Sequence, residues 1–276
     1  MCGLVGIFDT GERREIDGAL LERLNQSQFH RGPDEGGVHL EPGIGLAHRR
    51  LSIIDLSGGQ QPLFNEDRSV VVVYNGEIYN FAELASELSA LGHVFRTHCD
   101  TEVIVHAWEA WGEACVQKFR GMFAFALWDR NSEVLFLARD RLGIKPLYYS
   151  TLDDGSLIFA SELKALKAHP ALNRAIDAQA VEEYFALGYI PEPRSIFRNT
   201  HKLRPGHTMT VRRGAATLRQ SAYWDVPFDR PAVDPSFEDA VDELRRQLRE
   251  AVGIRLIAEV PLGAFLSGGV DSSSVV

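Results

Sequence analysis

The apolar positions of this chain change period several times, and each change predicts an element. Leu4-Val5-Gly6-Ile7-Phe8 and Val70-Val71-Val72-Val73-Tyr74 are continuous apolar runs, the pattern of strands buried on both faces. Between Ile16 and Phe29, apolar residues at Ile16, Leu20, Leu21, Leu24 and Phe29 fall near helical spacing. His30-Arg31-Gly32-Pro33-Asp34 ends that helix as a loop. Ile44 to Asp55 reads as a strand interrupted by Arg49 and Arg50. Asn80 to Leu91 predicts a second helix, with Asn80 as N-cap and Glu83 at the capping-box position. Asp100-Thr101-Glu102 opens a third, with Val103, Ile104, Ala107, Trp108 and Trp111 on its apolar side. Met122–Trp128 and Val134–Arg139 form a buried hairpin across Asp129-Arg130-Asn131-Ser132. Leu157–Ala160 and His207–Arg212 read as strands, and Ser161–Lys167 and Ala178–Leu187 as helices. Hairpins mixed with helices make this an α+β region.

The pattern changes near Trp224. Pro227, Pro231 and Pro235 lie among acidic residues and mark a linker. An amphipathic helix follows, with Phe237, Ala240, Val241, Leu244, Leu248, Ala251 and Val252 on one face. Val260 to Leu266 then reads as a strand leading into Ser267-Gly268-Gly269-Val270-Asp271-Ser272-Ser273-Ser274. A strand, a Gly/Ser loop and a helix start present free N–H groups to an anion. The lysine of a Walker loop is missing. The expected division is a first domain over 2–215, a linker over 216–236, and the beginning of a second domain over 237–276.

Composition narrows the function. The 276 residues are 45% hydrophobic and 24% charged, the balance of a protein with a core. A formal net charge of −9 argues against a non-specific nucleic-acid binder. No apolar run reaches the length of a membrane span, and the N-terminus lacks the pattern of a secretory signal. The 3 cysteines, Cys2, Cys99 and Cys115, form no C-x-x-C pair, so neither a disulfide framework nor a zinc motif is expected. His93, His98, Cys99 and His106 lie close in sequence but match no standard zinc spacing, and no metal ligand is assigned. A cytoplasmic protein with reduced thiols fits these features.

The candidate chemistry sits at the start. If Met1 is removed, Cys2 carries a thiol and a free α-amine, reference pKa about 8.5 and 7.7–8. One residue then holds a nucleophile and a base. Asn75-Gly76-Glu77, read as a strand-to-helix loop, offers a side-chain amide and a backbone N–H, the parts of an oxyanion hole. Arg49 and Arg50 have two readings, an exposed strand edge or a carboxylate clamp. The pattern alone favours the edge.

Taken in order, Met1-Cys2-Gly3, His30-Arg31-Gly32-Pro33-Asp34, Arg50-Leu51-Ser52-Ile53-Ile54-Asp55, Asn75-Gly76-Glu77-Ile78-Tyr79-Asn80 and Asp100-Thr101-Glu102 resemble the glutaminase domain of class II glutamine amidotransferases. Gly121-Met122-Phe123-Ala124-Phe125 and Arg139-Asp140 fit the same pattern, and Ser267 to Ser273 resembles the pyrophosphate loop of ATP pyrophosphatases. The pair is similar to the glutamine-hydrolysing asparagine synthetase family. The resemblance implies a four-layer α/β/β/α sandwich of the N-terminal-nucleophile hydrolase type, followed by the truncated start of an α/β ATP-pyrophosphatase domain. It implies that Cys2 attacks the glutamine amide to give a thioester and ammonia, and that Asn75 and the Gly76 N–H hold the oxyanion. Arg50 would grip the α-carboxylate, Glu77 and Asp100 the α-amine, and the backbone of Leu51, Ile53 and Ile54 would line the pocket. Leu266, Ser267, Gly268, Gly269, Asp271 and Ser272 would bind ATP, with Mg2+, to activate a carboxylate, aspartate first among candidates, for amidation. Glutamine is the implied substrate, and a homodimer the assembly to consider. Relatives of similar layout amidate cell-envelope sugars or antibiotic precursors, and two further readings are an amidotransferase making amino sugars or acting on phosphoribosyl pyrophosphate and a non-catalytic regulatory module. The chain stops at Val276, so the expectation is a chain that hydrolyses glutamine without making an amide.

Overall fold

The computed structural model describes residues 1–215, 217–229 and 234–276. Pro231 of the expected linker lies outside them. Two antiparallel sheets form the body. The first has the order β10-β8-β9-β1-β3-β2, built from β1 (Gly3–Phe8), β2 (Glu35–Glu41), β3 (Ile44–Arg50), β8 (Tyr148–Thr151), β9 (Leu157–Ala160) and β10 (Thr200–Lys202). The second has the order β12-β11-β7-β6-β5-β4, from β4 (Leu63–Phe64), β5 (Val70–Ile78), β6 (Gly121–Asp129), β7 (Val134–Arg139), β11 (His207–Arg212) and β12 (Arg219–Ala222).

Side-chain alternation along the strands builds the layers. Leu4 and Phe8 of β1 and Ile44 and Leu46 of β3 pack against Val71 and Val73 of β5 and Ala124, Ala126 and Trp128 of β6, between the sheets. The opposite faces meet helices. Val5, Ile7 and Ala47 bury Leu21 and Leu24 of α1 (Gly18–Gln26) and Ala165 and Leu166 of α5 (Leu163–Lys167). Val70, Val72, Phe125 and Phe136 bury α2 (Phe81–Ala90), α3 (Glu102–Trp111) and α4 (Cys115–Lys118). The result is helix, sheet, sheet, helix. Burial on both faces explains the unbroken apolar runs of β1 and β5. Within the first sheet the Phe159 ring of β9 lies over its cross-strand partner Gly6, where a Cβ would stand 2.2 Å from the ring.

Several expectations change. Asn75-Gly76-Glu77 is not a loop, because β5 continues to Ile78 and pairs with β6 through Ile78–Gly121. Pairing overrides the Asn-Gly turn signal. Asn80 occupies the N-cap of α2 as expected, but its side chain makes no capping bond; its amide bridges Lys118 O and Arg120 N instead. Arg49 and Arg50 are not on an exposed edge: β3 is covered by β1 and β2, and both side chains are buried. Arg219–Ala222, inside the stretch expected as linker, pairs with β11. After α6 (Ala178–Leu187), the long helix α7 (Phe237–Gly253) forms as expected. Val260–Leu266 does not form a strand, since no neighbouring strand among the described residues pairs with it. It leads to α8 (Val270–Val275).

Candidate active site

One pocket lies where the two inner sheet faces open. It is lined by Cys2, Arg50, Leu51, Ile53, Ile54, Asn75, Gly76, Glu77 and Asp100, with Met1, Gly59, Gln61, Tyr74, Cys99, Thr101, Met122 and Lys145. All expected glutaminase-site residues meet here. Alternation accounts for much of the convergence. Cys2 follows Leu4 and Phe8 onto the inner face, and Asn75 follows Val71 and Val73. Along β3, Ile44 and Leu46 face inward, and so does Arg50, while Arg49 shares the outer face with Ala47. Arg49 stacks on Phe29 at 4.7 Å and donates to Gly32 O. The β1–β3 register pairs Gly3 with Arg49, so Cys2 and Arg50 lie one step beyond, at the mouth.

Cys2 is held on two sides. Its carbonyl accepts from Arg31 Nε at 2.8 Å, and its sulfur accepts from Leu51 N at 3.4 Å. Burial raises the thiol pKa, opposed by the Leu51 N–H and the nearby α-amine. Burial lowers the Met1 α-amine, and Lys145 and Arg31 add to that. The thiol therefore stays protonated near neutrality until a base takes its proton, and the neighbouring amine is shifted toward its neutral, basic form.

The donors opposite the thiol are unpaired. Asn75 is buried, and its Nδ2 has no hydrogen-bond partner. On the free edge of β5, Tyr74 N donates to Gln61 Oε1 at 2.6 Å and Ile78 N donates to Asp100 Oδ2 at 2.9 Å. Alternation turns the Gly76 N–H to that same edge, between them. No partner for it exists among the described residues. Only glycine fits here, because a Cβ would lie 2.3 Å from Met122 O. Asn75 and Gly76 thus line the same pocket as Cys2, and buried unpaired donors call for an explanation.

Charged groups flank the donors. Arg50 donates to Glu35 at 2.9 Å, Ile54 O at 3.1 Å and Asp55 O at 2.6 Å, which fixes its guanidinium on the pocket wall. Asp100 accepts from Tyr74 Oη at 2.7 Å as well as from Ile78 N. Burial pushes it up to about 6, the two hydrogen bonds oppose this, and Glu77 adds to it. Glu77 is raised by burial and lowered by Lys145. Tyr74, Gln61 and Lys145 were not singled out from the sequence. Tyr74 sits in the apolar run that predicted β5, so its hydroxyl was hidden by its ring.

A family model described as glutamine amidotransferase domain matches residues 1–224. The chain belongs to the glutamine amidotransferase domain family. A second model, described as asparagine synthase, matches residues 243–276. Asparagine synthetase [glutamine-hydrolyzing] 1 of Bacillus subtilis is 40% identical over 284 residues, covering 100% of this chain and 43% of that protein. A putative asparagine synthetase [glutamine-hydrolyzing] 2 of Methanocaldococcus jannaschii is 39% identical, covering 100% and 56%. The chain thus spans about half the length of these curated relatives. Among solved structures, a glutamine phosphoribosylpyrophosphate amidotransferase from B. subtilis superposes with TM-score 0.56 at 18% identity, covering 81% of this chain and 49% of that one. The allosteric regulatory enzyme of purine biosynthesis gives 0.57 at 17%, covering 99% and 62%. These likenesses show that the sandwich shares the fold of those two enzymes.

The residues expected to bind ATP lie apart from this pocket. Leu266 to Asp271 are exposed and Ser272 is half-buried. Ser267 and Ser272 hydroxyls lie 3.0 Å apart, and Gly268 has φ +80°. Gly269 begins α8 without a side-chain cap. The first N–H groups of that helix fit an anion. No described residue around the loop forms a wall for a nucleoside.

Proposed function

We propose that this chain hydrolyses glutamine through Cys2. The observation that carries the reading is the pairing, in one pocket, of a terminal thiol with the unpartnered Asn75 Nδ2 and with the Gly76 N–H that alternation turns to the free edge of β5. After removal of Met1, the Cys2 amine takes the thiol proton and the sulfur attacks the amide carbon. The developing oxyanion accepts from Asn75 and Gly76, preorganised donors of the kind worth 10²–10³ in rate each, or about 2.7–4 kcal/mol. Ammonia leaves with the proton returned by the amine, and water then cleaves the thioester. Arg50 receives the α-carboxylate. Asp100 and Glu77 receive the α-ammonium, whose charge offsets the burial of Asp100. The backbone of Leu51, Ile53 and Ile54 completes the wall. Asp100, Tyr74 and Gln61 keep the free edge of β5 in place around Gly76.

The ammonia serves an ATP-dependent amidation of a carboxylate, aspartate to asparagine, in the complete protein. The printed names of the relatives and the asparagine synthase match over 243–276 support this. Residues 266–272 are the proposed pyrophosphate contact, and the cytoplasm is the proposed location. The proposed domain boundary falls after Trp224, because Tyr223 still donates to Arg139 O of the sandwich. The test is glutamate release by the purified chain with its N-terminus defined by mass spectrometry. Processed protein should be active and Cys2→Ala inactive with its circular dichroism unchanged. Full activity in protein that retains Met1 would overturn the mechanism.

A further inference from the structure

Outside the pocket, four ligating side chains from three segments meet on the far side of the second sheet. Glu66 lies in the β4–β5 loop, His93 in the α2–α3 link, and His106 and Glu109 on α3. One donor atom from each lies within 4.8 Å of all the others. His106 Nδ1 is 3.4 Å from both Glu66 Oε2 and Glu109 Oε2. His93 Nδ1 is 3.6 Å from Glu66 Oε1 and 3.8 Å from Glu109 Oε2.

These separations are long for ion pairs and close to those of ligands around a common centre. Charge-assisted hydrogen bonds close to about 2.7–2.9 Å. Some pairs in this chain nearly do, His30–Glu162 at 3.0 Å and Arg50–Glu35 at 2.9 Å, while His39–Glu41 at 3.9 Å does not. Donors at ~2.0–2.1 Å from a tetrahedral zinc stand ~3.3–3.4 Å from one another. His106 is fully buried, and its Nε2 has no hydrogen-bond partner. A buried imidazole with one nitrogen unpaired and the other held only by a long 3.4 Å bond to Glu109 is an exception that needs a cause.

The surroundings orient the donors. Glu66 Oε1 accepts from Val94 N at 3.0 Å, and Glu109 Oε1 accepts from Asn65 Nδ2 at 2.8 Å. Glu102 is fixed by Arg96 N and Thr97 N and stands 3.6 Å from His106 Nε2, the place of the outer carboxylate behind a ligating histidine. The Phe95 ring meets His106 edge-on at 4.6 Å and dries one side.

We propose that Glu66, His93, His106 and Glu109 bind a divalent first-row metal ion, zinc by donor set and geometry. Imidazole nitrogen and carboxylate oxygen suit zinc, and four protein ligands make a closed, structural site. The ion would fasten the β4–β5 loop and the α2–α3 link to α3, whose N-terminal end carries Asp100 into the pocket. The alternative occupant is a proton shared between His106 and the carboxylates, with no metal.

The test is zinc binding by the whole 276-residue chain after chelator treatment and dialysis, read by metal analysis, calorimetry and thermal unfolding. One equivalent should bind, and zinc at about a hundredfold excess over its Kd should raise Tm by roughly 5–10 °C. His93→Gln and Glu109→Gln, both at accessible positions, should fold without zinc and lose the bound equivalent and the Tm rise. Cys2→Ala should keep both, which excludes capture by the thiol. No binding to the wild-type chain, binding retained by the two cluster variants, or binding lost with Cys2→Ala would each overturn the proposal.

Discussion

Two helices of this chain carry apolar stripes and meet opposite fates. In α3, Val103 to Trp108 are all buried against the second sheet. In α7, no residue is buried: Phe237 is 84% exposed and Leu244 65%. Periodicity states which face is apolar, not whether anything covers it. The same holds for the two loops that carry candidate chemistry. The pocket residues hang from strands buried on both faces, so their atoms are fixed by the core. The Ser267–Ser272 loop follows a segment with no strand partner, and Phe265 beside it is fully exposed.

The sharpest way to break this comparison is to truncate one phenylalanine in each region. Phe136→Ala, in the core under α3, should cost about 3–5 kcal/mol, read by denaturant unfolding. Phe265→Ala should stay within about 0.5 kcal/mol. Similar losses at both sites would mean that the last forty residues are packed.

A second contrast uses two aspartates. Asp100 is held at about 6 against a usual 3.8 by burial. Between those values the native state binds more protons than the unfolded chain, so its contribution is fully present at low pH and lost as pH rises through 6. Asp100→Asn should therefore stabilise the free chain at pH 7 by up to about 3 kcal/mol while weakening glutamine binding. The difference in stability should vanish near pH 4. Asp271→Asn, on the exposed loop, should leave Tm within ~1 °C at both values. A pH-independent effect of Asp100→Asn would show that its charge is not confined.

The smallest contrast lies within one strand. Lysine cannot supply the planar fork of arginine. Arg50→Lys should raise the KM for glutamine roughly tenfold with kcat nearly kept, the signature of binding lost equally in ground and transition states. Arg49→Lys, on the outer face, should change KM less than about twofold. Equal effects would place the carboxylate elsewhere.

Both the pattern of the core and the membership of the pocket were legible, for different reasons. Val70–Val73 and Met122–Trp128 announce themselves because both their faces are covered. Glu35–Glu41, the edge strand β2, does not, since its burial alternates and its residues are mostly polar or glycine. The extension of β5 through Asn75 and Gly76 is set by β6, fifty residues away, and local turn propensity points the other way. The choice between Arg49 and Arg50 was written in the alternation from Ile44 and Leu46, once β3 is known to lie between two neighbours. The gathering of Glu66 with His93, His106 and Glu109 was not legible, because His98 and Cys99, nearer in sequence, turn elsewhere: His98 N donates to Asp55, and Cys99 pairs with Thr97.

Glu259 lies beyond α7 yet holds the wall of the pocket. Its carboxylate accepts from Asp55 N and Leu56 N at 3.0 and 3.2 Å, and its own N–H donates to Ile53 O at 2.9 Å. Arg50 grips the carbonyls of Ile54 and Asp55 from the other side. One short loop is therefore strung between the guanidinium that faces the pocket and a carboxylate on the segment leading to the Ser/Gly loop. A ligand that displaced Glu259 would remove three hydrogen bonds from the loop that Arg50 grips. By thermodynamic reciprocity, glutamine in the pocket would then change the affinity for that ligand by the same factor.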